Sequence, residues 1–166
     1  MNKPDRMSQL TRELERCFHL LNLDFFNGEL PTPVITVVPT ARVYMHYVPC
    51  DIWDTMNSSK KRINVSSAYL NRPLEQCIAG LLHEMVHMYN DLKLIQDTSN
   101  NGAYHNKFFA RQAVQRGLVV ASSKTKGYGI TAPGERLIEW ILLHDEVWMI
   151  ESCYRSIYDA CSISFM

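Results

Sequence analysis

Between Asn71 and Asp91 the chain reads NRPLEQCIAGLLHEMVHMYND, with Leu74, Cys77, Ile78, Leu81, Leu82, Met85 and Val86 recurring three and four residues apart. That spacing predicts a helix with a broad apolar face, and such a face has to be buried, so the rest of the fold must cover this segment. Asn71 is the expected N-cap, Pro73 fits the first turn, and Glu75 suits the positive end of the helix dipole. Gly80 lies on the same stripe as Gln76, His83 and His87. A glycine inside a helix costs about 1 kcal/mol against alanine, so Gly80 is expected to serve the close approach of a backbone or substrate.

The polar residues of this helix carry the chemistry. Four residues rise about 6 Å and return almost to the same face, so His83 and His87 can point their imidazoles at one ion. Glu84 is turned too far round to be a third ligand but can reach a metal-activated water, which is the H-E-x-x-H arrangement of a zinc peptidase. Two histidines satisfied by hydrogen bonds on a buried helix would be the plainer reading. Against it stands His105, in Tyr104-His105-Asn106-Lys107-Phe108-Phe109, at the expected start of a second helix. The polar segment from Gln96 to Tyr104 is long enough to carry the chain back, since an extended residue spans about 3.3 Å. Three imidazoles with an open fourth position suit one Zn2+ per chain, although cobalt, nickel and copper also accept imidazole. With neutral ligands the full charge stays on the metal and brings the pKa of water to about 7, leaving Glu84 as general base for peptide hydrolysis. Tyr104 is a candidate donor to the developing oxyanion.

LLHEMVHMYND, His105 in a H-x-x-F-F setting with seventeen residues between it and His87, and FFNGELPTPVITV upstream together resemble the SprT-like family of zinc metallopeptidases. That family includes the Spartan-type proteases that digest proteins crosslinked to DNA, and many bacterial and phage members. The similarity runs from about Leu10 to His144, and GYGITAPGERLIEWIL resembles the segment that closes the domain in some bacterial and phage relatives. The resemblance implies a zincin-like domain and a metalloendopeptidase acting on protein or peptide substrates. It also implies that Val43 to Val48 is a sheet edge holding substrate backbone by strand addition, with Tyr44 and His46 as candidate substrate contacts. DNA enters as a partner through the resemblance alone, because the chain has no zinc ribbon and no long basic tail. A non-catalytic, zinc-stabilised interaction module is the alternative, and Glu84 argues against it, since a structural site has no use for a base.

The remaining segments predict an α+β fold. Met7 to Asn22 reads as an amphipathic helix with Leu10, Leu14, Cys17, Phe18 and Leu21 on one side, and His19 is expected to be structural or solvent-facing. Phe25-Phe26-Asn27-Gly28 is a turn. Val34–Val38, Val43–Val48 and Arg62–Ser66 predict a small three-stranded sheet packed on helices. Asp51 to Lys61, holding Trp53, is a polar connection with Asn57-Ser58-Ser59-Lys60 at its tip. A helix from His105 to Arg116 should pack Phe108, Phe109, Ala113 and Val114 and stop at Gly117. Gly127-Tyr128-Gly129-Ile130 is a short strand or turn, and Thr131 with Pro133 should start a last helix through Leu137, Ile138, Ile141 and Leu142. His144 falls at its end, where a cation favours the dipole. A single domain over residues 1–151 is expected, followed by a tail over 152–166 of unknown role.

At 166 residues and 46% hydrophobic, the chain has the length and apolar content of one domain. Its 17 lysines and arginines balance 17 acids, so no net field draws it to nucleic acid and any DNA contact has to be local. Lys60-Lys61-Arg62, with Lys124 and Lys126, is the basic candidate, but without interleaved aromatics a solvated turn is the simpler explanation. No charged-then-apolar leader and no apolar run near ~20 residues is present, which predicts a soluble, cytoplasmic protein without membrane contact. Five cysteines without a C-x-x-C pair predict reduced thiols, with Cys77 a small buried hydrophobe.

Overall fold

The structure, a computed structural model, describes residues 5–49 and 61–163, without the side chains of 158–163. In chain order the elements are α1 (Arg6–Phe26), β1 (Val34–Val38), β2 (Met45–Val48), β3 (Arg62–Ser66), α2 (Leu74–Leu92), β4 (Thr98–Ser99), β5 (Tyr104–His105), α3 (Lys107–Gln115), β6 (Leu118–Ser123), β7 (Gly127–Pro133), α4 (Glu135–Leu143) and α5 (Trp148–Ile163). The fold is α+β, with two small mixed sheets instead of the single three-stranded sheet expected.

Packing on α2 decides where everything else goes. Leu81, Leu82, Met85, Val86 and Met88 are fully buried, and at about 1.5–3 kcal/mol for each large side chain removed from water this helix anchors the core. β2 packs on it from the first sheet and β7 from the second, so α2 lies between the two sheets. The helix begins at Leu74 with Pro73 in the N-cap position, whose carbonyl accepts from the N–H groups of Gln76 and Cys77. Asn71 is therefore two residues too early to cap it. Gly80 admits the ring of Tyr44: a Cβ there would stand 3.0 Å from Tyr44 Cε1 and 3.4 Å from Met45 Sδ. The close approach is by a side chain, neither backbone nor substrate.

α1 buries Leu10, Leu14, Cys17, Phe18 and Leu21 as its periodicity requires, and runs one turn further than expected, to Phe26. Asn27 ends it in the left-handed conformation, and the Asn22 side chain clamps the following loop by bonding both the N–H and C=O of Leu30. In the first sheet, ordered β1-β3-β2, β1 is parallel and β2 antiparallel to β3. β2 is an edge strand among the described residues and starts at Met45, two residues later than predicted. The expected loop tip at 57–60 and Trp53 lie outside the described residues.

The second sheet, ordered β4-β5-β7-β6, was not foreseen. His105 is on β5 and does not open a helix; α3 starts at Lys107, capped by Asn106, whose Oδ1 accepts from the N–H groups of Phe108 and Phe109. Phe109 and Ala113 are buried, whereas Phe108 and Val114, expected in the core, are exposed. Thr131 and Pro133 belong to β7, and α4 begins only at Glu135. His144 caps α4, its ring stacked on Trp140 at 4.2 Å. α5 crosses the expected boundary at residue 151, packs on α1, and buries Ile150, Cys153 and Tyr154. Cys17, Cys77 and Cys153 are buried free thiols, and burial pushes Cys77 up to about 11.

Candidate metal centre

One turn of α2 presents His83 and His87 on the side that faces β5, and β5 returns His105 to them. The three Nε2 atoms form a nearly equilateral triangle: 3.2 Å from His83 to His105, 3.2 Å from His83 to His87, and 3.0 Å from His87 to His105. An ion held tetrahedrally at about 2.0–2.1 Å spaces its donor nitrogens about 3.3 Å apart. The triangle fits such an ion, and this group could hold a metal. Three imidazole lone pairs aimed at one point repel each other unless a cation lies between them.

The far nitrogens fix the rings. His87 Nδ1 donates to Asp97 Oδ2 at 2.8 Å, and that oxygen also accepts from Asn90 Nδ2 at 2.9 Å. His83 Nδ1 lies 2.9 Å from Thr131 Oγ1. With the proton on Nδ1 in each case, Nε2 is left as the donor toward the metal. His105 Nδ1 is buried with no hydrogen-bond partner among the described residues. Beneath all three rings lies Phe109, fully buried, with its centroid 4.6 Å from His83, 4.7 Å from His87 and 4.6 Å from His105. Asp97, Thr131 and the floor role of Phe109 were not identified from the sequence. The signal for Asp97 was its place as the one carboxylate between Leu92 and His105.

Burial, then the charges of His87 and His105, hold His83 well below the ordinary histidine value, and burial and His87 bring His105 down to about 4. Burial also opposes a charge on His87, but the Asp97 hydrogen bond and the nearby carboxylates of Glu84 and Asp97 outweigh it and move His87 upward.

Glu84 is buried, and its Oε2 accepts the backbone N–H of Tyr47 at 2.7 Å. Burial raises its pKa, partly opposed by His87, the Tyr47 N–H and His46. Ser66 N–H donates to Tyr44 C=O, so in the antiparallel register Tyr44, His46 and Val48 turn their backbone groups toward β3, while Met45 and Tyr47 turn theirs toward the edge that meets Glu84. The general-base candidate and the candidate substrate edge are in contact.

The three candidate substrate residues separate. Tyr44 has its ring between Gly80 and the Arg72 guanidinium, 4.2 Å from the centroid, and burial next to Cys77 pushes its hydroxyl upward. Its ring is thus committed to packing. His46 is exposed and lines a pocket of about 140 Å³ with Thr40, Val43, Asn64 and Ser66. Tyr104, next to His105, lays its ring against Gly127. Of the basic triplet, Lys61 is tied to Asp91 Oδ2 at 2.9 Å and Pro49 O at 2.8 Å, and Lys60 lies outside the described residues. Among the described residues no helix is long and apolar enough to cross a membrane.

No family model, curated protein or solved structure matches this chain.

Proposed function

We propose that the protein is a zinc-dependent metalloendopeptidase of SprT-like type, with His83, His87 and His105 as ligands and Glu84 as general base. The observation that carries this reading is the convergence of three Nε2 atoms within 3.0–3.2 Å on the helix turn that also supplies a buried carboxylate. Zinc bound there would act as a Lewis acid toward a substrate carbonyl and lower the pKa of water to about 7. Glu84 would take the proton of the attacking water and hand it to the leaving amine. An extended peptide laid beside β2 would favour an unfolded or flexible protein segment as substrate. Asp97 and Thr131 would keep two ligands in the correct tautomer.

The test is elemental analysis of untagged protein, beside cleavage of an unfolded protein substrate with and without DNA. Wild type should carry about one zinc per chain, and His105→Ala should lose it. Glu84→Gln should retain zinc and lose turnover by at least ~100-fold. An active Glu84→Gln protein would remove the base assignment, and zinc binding without cleavage by wild type would leave a zinc-stabilised interaction module. Acceleration by DNA would support crosslinked or DNA-associated proteins as substrates.

A further inference from the structure

We infer that β7 is the template on which the metal centre is assembled: Gly127, Gly129 and Thr131 are positioning residues for His105 and His83. The inference rests on the metal reading above but concerns a segment to which that reading gives no role. Residues two apart on a strand share a face, and in β7 the odd-numbered residues turn inward while Tyr128, Ile130 and Ala132 are exposed. Glycine inside a strand contributes no side-chain packing and weakens it, so two glycines on one inward face need a reason.

The neighbours of each position supply it. Gly127 is paired in parallel register with His105 and has φ +56°; a Cβ there would lie 2.1 Å from the His105 carbonyl oxygen and 2.8 Å from the Tyr104 ring. Any side chain at 127 would therefore displace the backbone that carries the third ligand. Gly129 is excluded from substitution by space alone. A Cβ there would stand 2.5 Å from His105 Nδ1 and 2.9 Å from its Cε1, driving the imidazole away from its two partners. Thr131 Oγ1 then accepts a hydrogen bond from the Nδ1–H of His83 at 2.9 Å.

The three ligands are thus held by three different means. His87 is oriented by a carboxylate, His83 by a hydroxyl, and His105, whose Nδ1 has no hydrogen-bond partner among the described residues, by shape: the bare backbone at Gly129 on one side and the Phe109 ring on another. A G-x-G-x-T strand is the sequence form of that support.

The experiment measures zinc and cobalt(II) affinity of the full chain by chelator competition, with the cobalt absorption spectrum as a report on ligand number. Circular dichroism and metal-free melting provide the fold control. Thr131→Val should weaken zinc about 10–100-fold, and Thr131→Ser, which restores the hydroxyl, should stay within about threefold of wild type. Gly129→Ala should weaken zinc similarly and alter the cobalt spectrum; it should also lower the metal-free melting temperature, yet leave it unchanged in a His105→Ala background, where the ring it would strike is gone. Wild-type affinity in both Thr131→Val and Gly129→Ala overturns the inference while leaving the metal site standing. An undiminished effect of Gly129→Ala in the His105→Ala background assigns Gly129 to the fold and also overturns it. A wild type that binds neither metal overturns this inference and the proposed function together.

Discussion

Asp97→Asn is the substitution that asks most of the proposed site, because it removes a charge and almost no volume. Asp97 is buried, and its Oδ2 holds both His87 Nδ1 and Asn90 Nδ2. Asparagine can place its one carbonyl oxygen in the same spot, but hydrogen bonds to a neutral acceptor are roughly half as strong as those to a carboxylate. Loss of an outer-shell partner lowers metal affinity about 10–100-fold, and Asp97→Asn should fall at the lower end, about tenfold or ~1.4 kcal/mol. Asp97→Ala should reach the upper end and leave two buried donors unpaired at about 1–3 kcal/mol each, a large share of a domain's stability.

Acidity gives the same variant a second signature. Zinc can bind only when the rings are deprotonated, and near neutrality only His87 competes, because His83 lies well below the ordinary value and His105 at about 4. Wild-type affinity should thus fall about tenfold per pH unit once the pH is below the raised pKa of His87, with one proton released per ion. Asp97→Asn removes part of what raises His87, so its proton competition starts at lower pH. The deficit of the variant should be largest above the raised pKa of His87 and narrow as the pH falls through it. Chelator competition on both sides of that pKa reads both effects. A variant with wild-type affinity at the alkaline end, or a deficit that grows as the pH falls, would refute the role given to Asp97.

Gly80→Ala sets about 1 kcal/mol of helix propensity against insertion of a methyl 3.0 Å from a Tyr44 ring already backed by Arg72. Overpacking costs about 1–3 kcal/mol, so urea unfolding should show a net loss, and a more stable protein would contradict the packing described. Ending the chain at residue 151 removes buried Cys153 and Tyr154 and the 2.6 Å hydrogen bond from the Tyr154 hydroxyl to Arg72 O. It should lower stability by at least ~3 kcal/mol, and a shortened chain melting with the full one would make the end of α5 dispensable.

How much of this could be read from residue order depended on the range of the signal. α1 and α2 have periodicities many residues long, and β1 and β3 keep the bounds predicted for them. His83 and His87 are related by helix geometry, and their contact with His105 was inferred from the length of the return segment. β4 and β5 are two residues each and too short to show alternation. Leu118–Ser123 lacks alternation as well, and the glycines of β7 look like turn residues until His105 is seen to occupy the space they leave. Pairing of Asp97 and Thr131 with ring nitrogens depends on tertiary placement, for which no local pattern exists. α5 is different: Ile150, Cys153, Tyr154 and Ile157 have helical spacing, and a boundary drawn at residue 152 cuts through it.

The hydrogen bond between Glu84 and Tyr47 has a consequence for how the molecule could fail. Among the described residues, the partners found here for the three imidazoles come from one unbroken span of chain, from His83 to Thr131, whereas the strand that grips Glu84 arrives from before α2. The prospective base is stitched across a seam, and the prospective ligands are not. Loosening of the β1-β3-β2 sheet from α2 would leave the histidine triangle assembled and set the carboxylate adrift. Full metal loading and complete inactivity would then coexist in one folded protein, and metal content alone would not report competence.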